Sequence, residues 1–447
     1  MLTYLTLPCH TLPFQTLCLP LTLGLNFSPC CPHLLPSLPA FQHVFFYSSA
    51  RATPVCRLQD TAMAIPSVLV TGGTGFVGSA IVRAILQKHP QCRITILDMT
   101  VDTDMCRQRG IDHPNVDFLS ANILDVDALQ QAFNTNKPRA VVHTAGFVPP
   151  LEERYHRRLE KEALRINADG TRNVLDAAQA VGVKAFVFTS TCCVVIDDYT
   201  QSYANIDERW PTVERGTASI YGESKAVAEM LVLQANRSIN EETKTPLLTS
   251  SIRPAVIYGE GDHQLVPSIV SCIIDKSESP FRVGDGMNMW DTVYVGNVAD
   301  AHVLALENLL SDNPTAAGEA FFIQNNEPTS FREFCLQVWK SYNGHIPPFT
   351  LPIPASLAWS LGLLMETLTY FSKTPATLSR GSVNDATAIR YASGEKAKRI
   401  LGYEPRVSME QGIQRSCKEY RQRREREGRH PQSNTELLVG KLKEHLS

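Results

Sequence analysis

Residues 67–78 read Ser-Val-Leu-Val-Thr-Gly-Gly-Thr-Gly-Phe-Val-Gly. A short apolar run of strand type passes at once into glycines, and the glycines into an apolar-periodic helix that reaches about Lys88. The spacing satisfies both GxxGxxG and GxGxxG. Gly72 and Gly73 permit a turn with positive φ, Gly75 lets the backbone approach a pyrophosphate, and Gly78 lets the helix pack closely on a sheet. The helix start offers N–H groups and the positive end of a dipole to the same phosphates. A glycine-rich turn alone says little. The strand before it, the helix after it and an acid at the end of the next strand make it a dinucleotide-binding turn. Gly72, Gly73, Thr74, Gly75, Phe76, Val77 and Gly78 are therefore expected against the cofactor.

Outward from this turn, strand and helix alternate. Residues 93–97 (RITIL), 116–119, 140–143 and 185–189 read as further strands, with helical patterns at 126–134 and 164–181. Near-continuously apolar strands alternating with helices predict an α/β fold, a Rossmann-type doubly wound parallel sheet covered on both faces. A ligand then binds at the carboxyl ends of the strands. Asp98 stands there, twenty residues past Gly78. Its carboxylate can accept from both ribose hydroxyls and would repel a 2′-phosphate, which favours NAD over NADP. A plain strand-end turn Asp is the bland reading. Arg107 and Arg109 favour NADP only if their loop folds back.

The second half is less regular. Residues 247–252 and 256–258 read as strands and 299–310 as a helix. The expected organisation is 63–260 as mainly the NAD-binding Rossmann domain, 261–420 as mainly a smaller C-terminal substrate-binding lobe, and 421–447 as a charged tail. Residues 1–62 differ from all of this. They are rich in Leu, Pro, Cys, Phe and Ser, and their only charged side chains are Arg51, Arg57 and Asp60. Frequent prolines break any spanning helix, and no basic start marks a signal peptide. They are expected to be a leader outside the fold or outside the mature protein, with Met63 a natural start.

Over 447 residues, 42 basic and 45 acidic side chains leave a net charge of −3, which gives no reason to expect a nucleic-acid partner. The 12 cysteines show no CxxC pair and no Cys/His array of zinc spacing, so no metal site is expected and a reducing compartment is.

Tyr221-Gly222-Glu223-Ser224-Lys225 carries the chemistry. Four residues apart on a helix, the Tyr221 phenol and the Lys225 ammonium share a face. A free phenol has a pKa of about 10, too high for a base at neutral pH, and a neighbouring cation lowers it. Tyr-x-x-x-Lys recurs by chance, but here it stands downstream of a strand that ends in hydroxyls, Thr189-Ser190-Thr191.

Together with these motifs, HTAG at 143–146, NADGTRNVLDAA from Asn167, FTSTCCV from Phe188, DERWP at 207–211, RPAVIYGEGD from Arg253, YVGNVADAHVLAL from Tyr294, GEAFFIQNNEP from Gly318 and KAKRILGYEPRVSMEQGI from Lys396 form a pattern. On these residues, from about Ser67 to about Arg415, the chain resembles the 3β-hydroxysteroid dehydrogenase group of the extended short-chain dehydrogenases. The resemblance implies that Tyr221 and Lys225 are catalytic and also touch the cofactor, and that Thr191 takes the place of the family's catalytic Ser. Thr191 and Tyr221 would then bind the substrate oxygen. Asn122, with Ile123 beside it, falls where the family has an Asp near adenine. Thr144, Ala145 and Gly146 match the turn that passes the cofactor, and Pro254, Ala255, Val256 and Ile257 the segment beside the nicotinamide. Asn167 matches a position that supports the site, though an Asn near a helix start is more often a cap.

The implied reaction is NAD-dependent oxidation of a sterol 3β-hydroxyl, on a 4α-carboxysterol with loss of the C4 carboxyl. A 3β-hydroxysteroid dehydrogenase or a ketoreductase of a terpenoid or steroid pathway is the alternative. A non-catalytic Rossmann cofactor sensor would lack the Tyr/Lys pair. His263 follows GEGD and is expected to face the substrate, more often as a structural than a catalytic group. Residues 351–371 (LPIPASLAWSLGLLMETLTYF) are the most apolar piece of the body. Prolines and Glu366 argue against a spanning helix and for one over an apolar pocket or in a membrane interface, with a plain core helix as the bland reading. The resemblance implies attachment to the cytosolic face of the endoplasmic reticulum membrane, beside other C4-demethylation enzymes, and a homodimer is left open.

Overall fold

The computed structural model describes residues 65–150, 153, 157–198, 200–216, 219–274, 281–372 and 379–428. The leader expected over 1–62 and the tail beyond 428 lie outside the described residues.

The central sheet has eight strands. Seven are parallel: β1 (Ser67–Thr71), β2 (Arg93–Asp98), β3 (Val116–Ser120), β4 (Ala140–His143), β5 (Ala185–Thr189), β6 (Pro246–Pro254) and β7 (Glu319–Ile323), in the order β7-β6-β5-β4-β1-β2-β3. A short strand, Ser238–Ile239, adds to β6 antiparallel. Side chains alternate across the pleat. Val68, Val70, Ile94, Ile96, Val142 and Val187 enter one core, beneath helices Phe76–Lys88 and Val295–Leu310. Leu69, Leu97, Val141, Phe186 and Phe188 enter the other, beneath Val126–Asn136, Gly170–Ala180 and Ile220–Gln234. Both faces are covered, as the continuously apolar strands require.

Register aligns the carboxyl ends. Thr71 pairs with Leu97 and with His143, His143 with Phe188, and Thr189 with Ile252. The residues after each strand therefore meet along one rim. Strand order reverses on either side of β1, which makes its carboxyl end the switch point where a ligand crevice opens.

Beyond residue 260 the chain does two things. The helix Val295–Leu310 and β7 join the sheet layers, while helices Leu265–Ile274, Phe331–Asn343 and Met409–Arg426 pack on one another at the rim. A four-stranded sheet in the order Thr329–Ser330, Met289–Trp290, Arg390–Ala392, Tyr203–Ile206 stands beside them. The apolar segment forms a short strand, Leu351–Ile353, and the helix Ala355–Ser372. That helix does not sit in the core. It turns its small residues, Ala358 and Gly362, inward, and leaves Leu357, Leu361, Leu364 and Leu368 exposed. Among the described residues no helix is long and apolar enough to cross a membrane.

Candidate active site

The glycine turn is fixed by its own backbone. Gly72 adopts φ +68°, and its N–H donates to the Leu97 carbonyl at 2.8 Å. A Cβ at Gly78 would run into the Gly72 carbonyl oxygen, so the helix can approach the turn only without a side chain there. Asp98 closes the next strand beside it. One carboxylate oxygen accepts from the Thr74 N–H at 3.1 Å and the Thr74 hydroxyl at 2.5 Å, the other from the Met99 N–H at 2.9 Å. The Thr144 hydroxyl donates to the Thr71 carbonyl at 2.7 Å and holds the 144–146 turn over Gly72, where a Cβ would stand 2.8 Å from Ala145 Cα. Asn122 spends its side-chain oxygen on the Leu124 N–H at 2.9 Å.

The residues expected to be catalytic come from two elements that touch. Thr191 follows β5 and caps the 3₁₀ turn Cys192–Val195, accepting from the Cys193 N–H at 3.2 Å. Tyr221 lies in the first turn of Ile220–Gln234. Gly222 is where this helix meets the turn, since a Cβ there would stand 2.5 Å from the Cys193 carbonyl oxygen. The Gly of the pentapeptide thus lets Tyr221 approach Thr191. Lys225 is 4 % exposed. Its ammonium donates to the Thr189 carbonyl at 2.6 Å and lies 4.1 Å from the centre of the Phe188 ring. Burial brings its pKa down to about 7, against the pull of Glu229.

Asn167 is not a cap. It sits inside a helix, in the π-helical turn Arg165–Asp169 between Glu160–Leu164 and Gly170–Ala180. Its carbonyl oxygen accepts from the Phe147 N–H at 2.7 Å, and its amide donates to the Phe147 carbonyl and the Ser224 hydroxyl, both at 2.9 Å. It therefore clips the strand-end turn to the Tyr221 helix, and the π-turn aims it there.

One cavity of about 3100 Å³ gathers these groups. Gly72, Thr74, Gly75, Phe76, Val77, Gly78, Asp98, Asn122, Ile123, Thr144, Ala145, Gly146, Thr191, Tyr221, Lys225, Pro254, Ala255, Val256 and Ile257 all line it. Gly73 does not; it faces the sheet, where a Cβ would stand 2.9 Å from Ile96. His263 lies between Arg109 and Arg423, and Arg109 also touches the Thr74 carbonyl, so His263 stands by the glycine turn. Other parts of the wall escaped sequence reading, among them Ile196, Ile206, Trp290, Phe322, Phe331 and Tyr391, apolar residues from separate segments. No local pattern marks them. His143, the first residue of HTAG, does not line the cavity. It is fully buried at the end of β4, with the Thr71 and Thr171 hydroxyls at 2.6 and 2.9 Å on its two ring nitrogens.

Fold and site define a short-chain dehydrogenase of extended type, and comparison with known proteins agrees. The sequence profile of the 3-beta hydroxysteroid dehydrogenase/isomerase family matches residues 69–353. The chain is 33% identical over 354 residues to the sterol-4-alpha-carboxylate 3-dehydrogenase, decarboxylating, of Schizosaccharomyces pombe, covering 79% of this chain and 97% of the relative. It is 35% identical over 359 residues to the protein of the same name in Saccharomyces cerevisiae, again 79% and 97%. The fold also matches a dTDP-glucose 4,6-dehydratase from Bacillus anthracis solved with NAD, at a TM-score of 0.59 and 20% identity over 80% of this chain and 98% of that one. The chain belongs to the 3-beta hydroxysteroid dehydrogenase/isomerase family.

Proposed function

We propose that the protein oxidises the 3β-hydroxyl of a 4α-carboxysterol with NAD, and that the product then loses its C4 carboxyl. The observation that carries this is the joining of Thr191, Tyr221 and Lys225 to the glycine turn and to an apolar wall in one cavity. The likeness to the two yeast proteins narrows the substrate. The turn suits a dinucleotide: its backbone is bare where a Cβ at Gly78 would collide, and Asp98 stands where ribose hydroxyls bind. Asp98 also supports NAD as the preferred form.

Bound NAD supplies the acceptor for the hydride that leaves C3. Thr191 and Tyr221 hold the substrate oxygen between them. Tyr221, as phenolate, takes the hydroxyl proton while the C3–O bond becomes a carbonyl. Lys225 steadies the phenolate and is itself held by the Thr189 carbonyl. The product is a β-keto acid. Its C4–carboxyl bond breaks with the electron pair passing to the C3 carbonyl as an enolate, which is then protonated at C4. No dedicated residue is needed for that step.

The test is a panel of sterols given to the purified chain with NAD or NADP, followed by reduced-cofactor absorbance and product mass. A 4α-carboxysterol should yield the 3-ketone lacking the carboxyl. Turnover of simple 3β-hydroxysteroids alone would refute the decarboxylating reading, and equal turnover with NADP would refute the NAD preference.

Attachment to the cytosolic face of the endoplasmic reticulum membrane belongs to the same proposal. What supports it is the outward leucine face of Ala355–Ser372, continued by exposed Phe349 and Leu351, together with a lipid substrate. Such a helix lies in the interface rather than spanning it. Fractionation that left the chain wholly soluble would count against this.

A further inference from the structure

The loop after Asp98 folds back on the glycine turn. Arg109, just past the helix Thr103–Gln108, donates to the Thr74 carbonyl. Its other terminal nitrogen lies 3.1 Å from His263 Nε2. The opposite ring nitrogen, His263 Nδ1, lies 3.2 Å from Nη1 of Arg423, on the helix Met409–Arg426. Arg423 also donates to the Asp262 carbonyl at 2.5 Å. Behind them Arg83 donates to the Arg109 carbonyl at 2.6 Å. Segments far apart in sequence thus bring two guanidiniums onto one imidazole.

A guanidinium only donates. A neutral imidazole has one accepting nitrogen and a protonated one has none, so at most one of the two contacts is a hydrogen bond. Arg109 forms no ion pair among the described residues. Burial, with Arg423 and Arg83 close by, disfavours its charge against the pull of Asp98. Arg423 has only Glu419, at 3.8 Å. Two residues before Arg109, Arg107 pairs with Asp104 at 2.9 Å and Asp112 at 3.5 Å, the ordinary arrangement of an exposed arginine. A half-buried cation on a cavity wall, touching the glycine turn, without an ion pair and with two further guanidiniums close by, can gain a direct counter-charge from a bound anion.

We propose that Arg109, His263 and Arg423 form an anion subsite for a phosphoryl group of the bound dinucleotide. The inference rests on the dinucleotide reading of the cavity. The phosphoryl group is either the pyrophosphate common to NAD and NADP or the 2′-phosphate of NADP alone.

The test is calorimetric titration of the full chain with NAD⁺ and with NADP⁺, in the wild type and in R109Q, R423Q and R107Q, with melting temperatures as the folding check. Loss of a charged contact should weaken binding by roughly 10–100-fold in R109Q and R423Q, and R107Q should bind as the wild type does. Equal weakening for both dinucleotides supports the pyrophosphate, and weakening for NADP⁺ alone supports the 2′-phosphate. If R109Q does not fold, R423Q on its separate helix carries the test. Unchanged binding in the folded variants, or an equal loss in R107Q, would overturn the subsite and leave the dinucleotide reading standing. A wild type that bound neither dinucleotide would overturn both.

Discussion

At the glycine end of the cavity the wall is built of short runs, 72 with 74–78, 144–146 and 254–257, each at the carboxyl end of a strand of the main sheet. At the other end apolar side chains such as Ile206, Trp290, Phe331 and Tyr391, spread over nearly two hundred positions, line it beside Asp291 and Arg390. The first end is built by backbone: a bare turn, strand ends in register and carbonyls that take the Lys225 and Thr144 hydrogens. The second is built by side chains, with the Trp290 ring tilted against Phe331 at 4.7 Å between centres and its indole N–H held by the Ala388 carbonyl at 3.0 Å. A dinucleotide's phosphates and ribose impose backbone constraints that short contiguous motifs can meet. Side-chain walls follow the substrate.

The sharpest way to break this division is at its seam, where Tyr221, the proposed base, stands on a helix that packs beside the glycine end. Tyr221→Phe keeps the ring and removes the ionisable oxygen. Turnover should fall by roughly 10²–10⁴, the usual worth of a general base, with little change in NAD affinity measured by titration. Near-normal turnover would remove Tyr221 from the mechanism.

Lys225→Met should act on both ends at once, lowering turnover and weakening cofactor binding. With the Lys225 ammonium beside the phenol, the rate of oxidation should rise with pH through an apparent pKa well below about 10, the free phenol value. In Lys225→Met the rise should move toward about 10, the free phenol value. A pH profile that did not move would show that Lys225 does not govern the phenol.

The same division explains what could be read in the sequence. Strands β1 to β6, the glycine turn, Asp98 and the Tyr221/Lys225 pair were legible because period, punctuation and spacing are local. The helix at 164–181 was legible as a helix but not as the broken run Glu160–Leu164, Arg165–Asp169 and Gly170–Ala180, because nothing in its periodicity signals a π-turn. Asn167 was legible as a residue that supports the site, but not as a clip from Phe147 to Ser224. Gly73 matched the motif but turns to Ile96, since a motif names positions and not directions. Arg109 depended on a loop whose path only tertiary contacts decide.

Tyr391→Ala probes the apolar end alone. Tyr391 is half-buried on the cavity wall. Losing a large apolar contact of about 1.5–3 kcal/mol should raise the sterol KM by roughly 10–100-fold and leave NAD affinity unchanged. An equal loss of NAD affinity would show that the two ends are not separable.

The smallest expected effect concerns acid, where the two ends should respond with opposite sign. His143 and His302 are buried at and behind the strand ends, and burial brings their pKa values down to about 3 and about 4 from 6.5. The unfolded chain takes up these protons below about 6.5 and the folded chain does not, so stability falls as pH drops from 6.5 toward 4. At the apolar end Asp291 accepts from the Ala392 N–H at 2.6 Å, and burial raises its pKa from 3.8 to about 7. Here the folded chain holds the proton first, so stability rises as pH drops from 7 toward 3.8. Asp291 partly offsets the histidines in the same window. Asp291→Asn should remove that offset and steepen the fall in melting temperature between pH 7 and pH 4, whereas His302→Gln should make it shallower. A change of about 1 kcal/mol in either slope corresponds to roughly 2–4 °C, within reach of calorimetry at three or four pH values. Slopes that moved together in the two variants would mean that the opposed protonation of the two ends does not govern acid stability.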